Sequence, residues 1–110
     1  NSPESGPSEI RFAQALALAK LGRAEEARKQ FEGLLSAGQR QIEAGEQSDY
    51  FAKFGERESE RVRKARAHYL VGLGQLGLGR TDDAKAAFAQ ALELHPAHVG
   101  AALQQAALKD

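Results

Sequence analysis

Apolar residues recur at helical spacing along most of this chain, and glycine marks the points where the spacing restarts. From Ile10 to Leu21 they are dense: Ile10, Phe12, Ala13, Ala15, Leu16, Ala17, Leu18, Ala19 and Leu21. A helix this apolar on several faces is expected to lie between neighbours. Ser8 stands where a cap is wanted, Glu9 falls in the first turn, and Gly22 supplies the C-terminal stop. A second helix begins near Ala24 and presents Ala27, Phe31, Leu34 and Leu35 on one face. Its weaker continuation runs through Ile42, and Gly45 is expected to end it. Residues 46–55 break the period and gather Tyr50, Phe51 and Phe54, with Ser48 or Asp49 able to cap a short helix.

From Glu56 to Leu78 the pattern predicts one long helix, charged at first and apolar from Ala65 onward. Glu60 and Lys64 have the i, i+4 spacing that supports an exposed helix. Gly72, Gly74, Gly77 and Gly79 crowd its end, where each interior glycine costs about 0.8–1 kcal/mol relative to alanine. Gly79 is a helix stop and Gly72 suits a closely crossing helix. Gly74 and Gly77 have neither role and predict a frayed or bent end. Thr81 is expected to cap the next helix, with Asp82 and Asp83 in its first turn and Ala84, Phe88, Ala91 and Leu92 facing inward. Pro96 breaks it, and residues 97–108 form a last, alanine-rich helix.

Gly22, Ala27 and Phe31 return as Gly79, Ala84 and Phe88, each shifted by 57 residues. Residues 65–98 resemble a tetratricopeptide repeat: Val71-Gly72 falls on its Leu-Gly pair, Gly79 on its turn glycine, and Ala84, Phe88, Ala91 and Pro96 on its later positions. His68 stands in place of the usual large aromatic and Gln75 in place of a tyrosine. Residues 8–41 look like a poorer second copy, with Leu34 where the second alanine belongs and Ala15 where the glycine belongs. The offset exceeds the family's period of roughly 34 residues, so an insertion is expected between the copies.

The resemblance therefore implies an all-α fold of antiparallel helix-turn-helix repeats, two of them separated by an irregular insertion, plus a C-terminal capping helix. The expected divisions are a disordered tail or linker at 1–8, a first hairpin at 9–38, and an insertion with a charged helix extension at 39–64. The second repeat follows at 65–96, and the capping helix at 97–110. Two repeats and a final helix form a small array, so a missing neighbour or a dimer partner is expected. The chain opens Asn1-Ser2-Pro3 and contains no methionine, which suggests an excised or processed piece. The composite pattern is also similar to the C-terminal tetratricopeptide region of larger multidomain bacterial proteins.

Fifteen basic and fifteen acidic residues leave no net charge, without the basic excess of a nucleic-acid footprint. Zero cysteine removes disulfides, thiolate metal sites and cysteine nucleophiles, and leaves the compartment open, with the cytoplasm as the default. No apolar run reaches the roughly 18 residues of a membrane span. The basic stretch Arg57, Arg61, Arg63, Lys64 and Arg66 is interleaved with Glu56, Glu58 and Glu60, as on a solvated helix face. His95-Pro-Ala-His98 has too few ligands for a metal, and the glycines near Gly72 follow no strand and precede no Gly-Lys-Ser/Thr, so no phosphate loop is expected. No residue constellation supports an enzyme, and no cofactor is expected.

Family register implies a concave surface lined by Glu9, Phe12, Leu16 and Ala19, then by Arg66, Tyr69, Leu73 and Leu76, then by Leu103 and Gln104. Phe12, Leu16, Arg66, Tyr69, Leu73, Leu76 and Gln104 are the candidate partner-binding residues. The Lys/Asn set with which some members clamp a peptide carboxylate is missing, so the groove is apolar. An apolar patch of this kind usually marks an interface. Its occupant is expected to be Tyr50, Phe51 and Phe54 folding back, a second copy or adjoining domain of the same polypeptide, or a helix or peptide from another protein. The expected function is a non-catalytic interaction or docking scaffold; the alternative is a structural spacer or homodimerisation module with a self-filled groove.

Overall fold

The computed structural model describes residues 7–51 and 57–108, with side chains described over 8–44 and 60–108. Five helices follow one another: α1 (Pro7–Lys20), α2 (Ala24–Phe51), α3 (Arg57–Gly77), α4 (Thr81–Leu94) and α5 (Val99–Leu108). No strand occurs among the described residues. Successive helices run antiparallel, as their contacts show. Phe12 meets Phe31, Gly38 meets Ala67 while Gly74 meets Leu35, Gly72 meets Phe88, and Gln105 reaches Lys85.

The two hairpin turns are built alike. Gly22 and Gly79 have φ of +82° and +83°, a region that costs most side chains strain. After α1, the amide of Gly22 donates to Ala19 O (3.1 Å) and that of Arg23 to Leu18 O (2.9 Å). After α3, Gly79 donates to Leu76 O (3.1 Å) and Arg80 to Gln75 O (2.8 Å). Both are Schellman closures, which satisfy the last carbonyls of the helix. The same arginines open the next helix: Arg23 O accepts from Ala27 N–H and Arg80 O from Ala84 N–H. Thr81 is therefore not the cap. That place belongs to Arg80, fixed there by its backbone bonds, and its side chain makes no capping bond, because a guanidinium has no acceptor to offer.

Three other expectations change. Ser8 is not a cap, since both it and Pro7 before it lie within α1. Gly45 does not end α2, which continues to Phe51. One interior glycine costs about 1 kcal/mol, too little to break a helix that α3 supports along its length. Within the insertion expected at 39–64, residues 39–51 are the far end of α2 and residues 57–64 the start of α3, regular helix in both cases, with residues 52–56 outside the described set. The folding back of Tyr50, Phe51 and Phe54 likewise lies outside the described side chains.

Gly74 and Gly77 do not mark a frayed end; they are contact points. A Cβ on Gly74 would lie 2.7 Å from Phe31 O and Leu35 N, and one on Gly77 would enter the Phe31 ring. Gly38 answers from α2, where a Cβ would lie 2.7 Å from Ala67 O. Glycine on both sides lets the backbones of α2 and α3 touch. The core around this crossing contains Phe12, Ala15, Ala27, Phe31, Leu34, Leu70, Leu73, Ala84, Phe88 and Ala91. Gly72 admits the Phe88 ring as expected, with a would-be Cβ 2.5 Å from the nearest ring carbon.

Candidate docking surface

The first helices of the two hairpins, α1 and α3, and the final helix α5 are joined by one side chain. Tyr69 on α3 donates a hydrogen bond to Glu9 Oε2 on α1 at 2.9 Å. Its ring tilts against Phe88 at 5.9 Å and against His98, just before α5, at 4.7 Å. A Cβ on Gly100 would lie 2.8 Å from the same ring, so α5 settles directly on it. Burial, then the Glu9 hydrogen bond and charge, push the Tyr69 phenol well above its usual pKa.

The residues expected to line the groove divide into two groups. Phe12, Tyr69 and Leu73 are buried, Leu73 completely at 0 % exposure. Leu76 is half-buried against the core, and Glu9 and Gln104 are half-buried. Leu16, Ala19, Arg66 and Leu103 are exposed. The centre of the row is thus occupied by the chain's own aromatic and leucine side chains, and the accessible surface lies to either side.

Among the described residues the large exposed apolar side chains sit at the two ends of the array. Ile10 (55 %), Leu16 (42 %) and Leu21 (73 %) belong to α1 and its turn, and Val99 (59 %) and Leu103 (66 %) to α5. Among their described side chains, the helices between them, α2 to α4, present none of comparable size. In a helical array each unit buries its apolar face against the next, and a self-sufficient end carries a polar outer face. Neither end here does.

The model of the tetratricopeptide repeat family matches residues 65–98. Residues 65–98 are a tetratricopeptide repeat. No curated protein and no solved structure matches the chain. Within the repeat, Gly72, Ala84, Phe88 and Ala91 form the buried seam between α3 and α4. The two departures from the motif have local consequences. Gln75, in the tyrosine position, leaves its Oε1 buried without a hydrogen-bond partner. His68, in the large-aromatic position, is half-buried, and burial and the Lys64 charge lower its pKa from 6.5. Outside the matched segment, α1 and the start of α2 repeat the turn, the small residue and the phenylalanine of the tetratricopeptide hairpin 57 residues earlier.

The charged stretch at the start of α3 is less solvated than its composition implies. Glu60 is buried and pairs with Arg63 one turn on. Arg61 donates from Nε to Leu94 O at 3.2 Å and from Nη2 to Glu93 O at 3.1 Å, closing the C-terminus of α4. These bonds were invisible in the local sequence, because they join residues more than thirty positions apart. The histidine pair brackets a turn, so the last helix starts at Val99 rather than at residue 97, and His98 does more than join the two helices. Its Nδ1 accepts the Ala101 N–H at 3.1 Å, and its carbonyl accepts from Ala102, which makes it the cap of α5. Among the described residues no group of three or more His, Asp or Glu is placed to hold a metal ion, and no helix is long and apolar enough to cross a membrane.

Proposed function

We propose that this chain is a non-catalytic docking module that engages protein helices through the exposed apolar faces of α1 and α5. The exposure of Ile10, Leu16, Leu21, Val99 and Leu103 at the two ends of the array, with a filled centre between them, carries this reading. Tetratricopeptide repeats ordinarily mediate contacts between proteins and act as scaffolds rather than enzymes. Of the candidate partner-binding residues, Leu16 and Arg66 are exposed and Gln104 is half-buried, and on this reading these three touch the partner directly. Phe12, Tyr69, Leu73 and Leu76 act beneath them as the support. The partner is a protein or an adjoining domain of the same polypeptide, and a homodimer is the simplest case. No part is proposed for nucleic acid, membrane or cofactor.

A second reading is supported by Tyr69, which already spans α1, α3 and α5. A row closed by its own side chains also suits a structural spacer whose groove needs no occupant. Light scattering after size exclusion, over a hundredfold range of concentration, separates the two. The docking reading expects association that Leu16→Glu or Leu103→Glu abolishes without lowering the melting temperature. A chain that stays monomeric and whose end faces bind no hydrophobic dye supports the spacer.

A further inference from the structure

We propose that His98 is a proton-operated latch for α5: protonation of its Nδ1 releases the start of that helix from α3 and uncovers one side of Tyr69. Capping residues are usually serine, threonine, asparagine or aspartate, whose oxygens accept over the whole physiological range of pH. Histidine accepts only while neutral, and only as the tautomer that keeps its proton on Nε2. The bond from Ala101 N–H to Nδ1, at 3.1 Å, requires that form. A proton on Nδ1 removes the acceptor and leaves an orphaned amide. It also places a positive charge at the end of the helix where the peptide dipoles already point their positive pole.

The ring cannot swing away without consequence, because it is wedged between helices. It lies 4.7 Å from the Tyr69 ring and 6.0 Å from His95. The charges around it are Glu9 from α1, Arg66 from α3 and His95 from the turn, with Tyr69 beside it as a neutral phenol. The ionisable groups of α4, which also packs on α5, are Asp82, Asp83, Lys85 and Glu93, and none of these acts on it. Burial, then the His95 charge and to a lesser degree Arg66, hold the imidazole below its usual 6.5. A backbone hydrogen bond of His98 itself and the Glu9 carboxylate pull the other way without reversing the balance. The neutral, capping form is therefore the one that the folded row selects, and stability is full above pH 6.5 and declines as pH falls through that value.

The latch involves only His98, the start of α5 and the Tyr69 ring, so it stands whatever the row docks against. Amide hydrogen exchange on the full chain between pH 8 and pH 5 tests it. Protection of the Ala101 and Ala102 amides is expected to fall by up to about tenfold per pH unit below the His98 midpoint, while Leu73 and Phe88 stay protected. His98→Asn, which keeps an uncharged acceptor at the cap, is expected to remove that slope, and His95→Asn and His68→Asn to preserve it. An unchanged slope in His98→Asn overturns the proposal. Nitrogen NMR of the unmodified protein gives a second route to failure. A proton on Nδ1 of the neutral ring, or an Ala101 amide that titrates with a midpoint different from His98, is incompatible with the latch.

Discussion

Gly74 of α3 faces the backbone nitrogen of Leu35 in α2 with no room for a methyl group between them. Alanine is the better helix former by about 1 kcal/mol, so a helix considered alone is stabilised by Gly74→Ala. In the folded chain the new carbon meets backbone on both contacts, and no rotamer change relieves it. Gly74→Ala is expected to destabilise by about 1–3 kcal/mol, measured by urea unfolding. Gly22→Ala has open space around it and fails for another reason, its φ of +82°. Its expected cost is about 1–2 kcal/mol, with no change in the packing of α2 on α3.

Leucines on the same row should respond oppositely. Leu73 is fully buried, and Leu73→Ala is expected to cost about 2–5 kcal/mol by loss of burial and a residual cavity. Leu103 is largely exposed, and Leu103→Ala should change stability by no more than about 0.5 kcal/mol while weakening association. Thermal unfolding of the two variants, with light scattering on the second, reads both effects.

Arg61 closes α4 from outside it. Arg61→Met keeps most of the stem and removes the two donors to Glu93 and Leu94. An expected loss of about 1 kcal/mol should appear as faster exchange of the last amides of α4, with α3 itself unaffected.

Gln75 offers a gain. Its Oε1 is buried without a partner, so Gln75→Leu removes an unsatisfied acceptor while retaining bulk. The variant is expected to melt higher, corresponding to about 1 kcal/mol. A lower melting temperature would mean that the amide nitrogen of Gln75 supports the helix more than its oxygen burdens it.

His68 and His98 both have pKa values held below 6.5 in the folded chain, chiefly by burial. The unfolded chain therefore binds more protons just below that pH, and stability rises with pH through the interval. Stability is expected to be greatest above pH 6.5 and to fall as pH drops through 6.5 toward the folded values. His68→Gln should flatten part of the dependence in a denaturant series at several pH values, leaving the share of His98.

Much of the fold could be read in the sequence because tetratricopeptide spacing is local. Gly79, Ala84 and Phe88 lie within a single hairpin, and the residues that define it also pack against one another. The Gly74 and Gly77 contacts were illegible for the opposite reason. Their partners, Phe31 and Leu35, lie far away in the sequence on another helix, and glycine carries no side chain to announce a contact. The candidate surface was half legible. Register brought Phe12, Leu16, Tyr69 and Leu73 into one row, but it could not reveal that Tyr69 reaches both Glu9 and His98 and so closes the middle. Helix periodicity gives direction around one axis; whether a face stays open depends on what arrives from the other helices.

Each hairpin turn uses one arginine both to finish one helix and to begin the next. Such a joint has no slack, so a hairpin cannot absorb extra residues at that end. Among the described residues the surplus over the family's period is helix at the opposite end: α2 runs 28 residues against 14 in α4, and α3 is already helical at Arg57, ahead of the repeat's start at Ala65. Length added there becomes reach, at about 1.5 Å per residue, rather than loop. The pair α2 and α3 can thus work as a strut whose span is adjusted by whole helical turns while the joints stay at fixed angles.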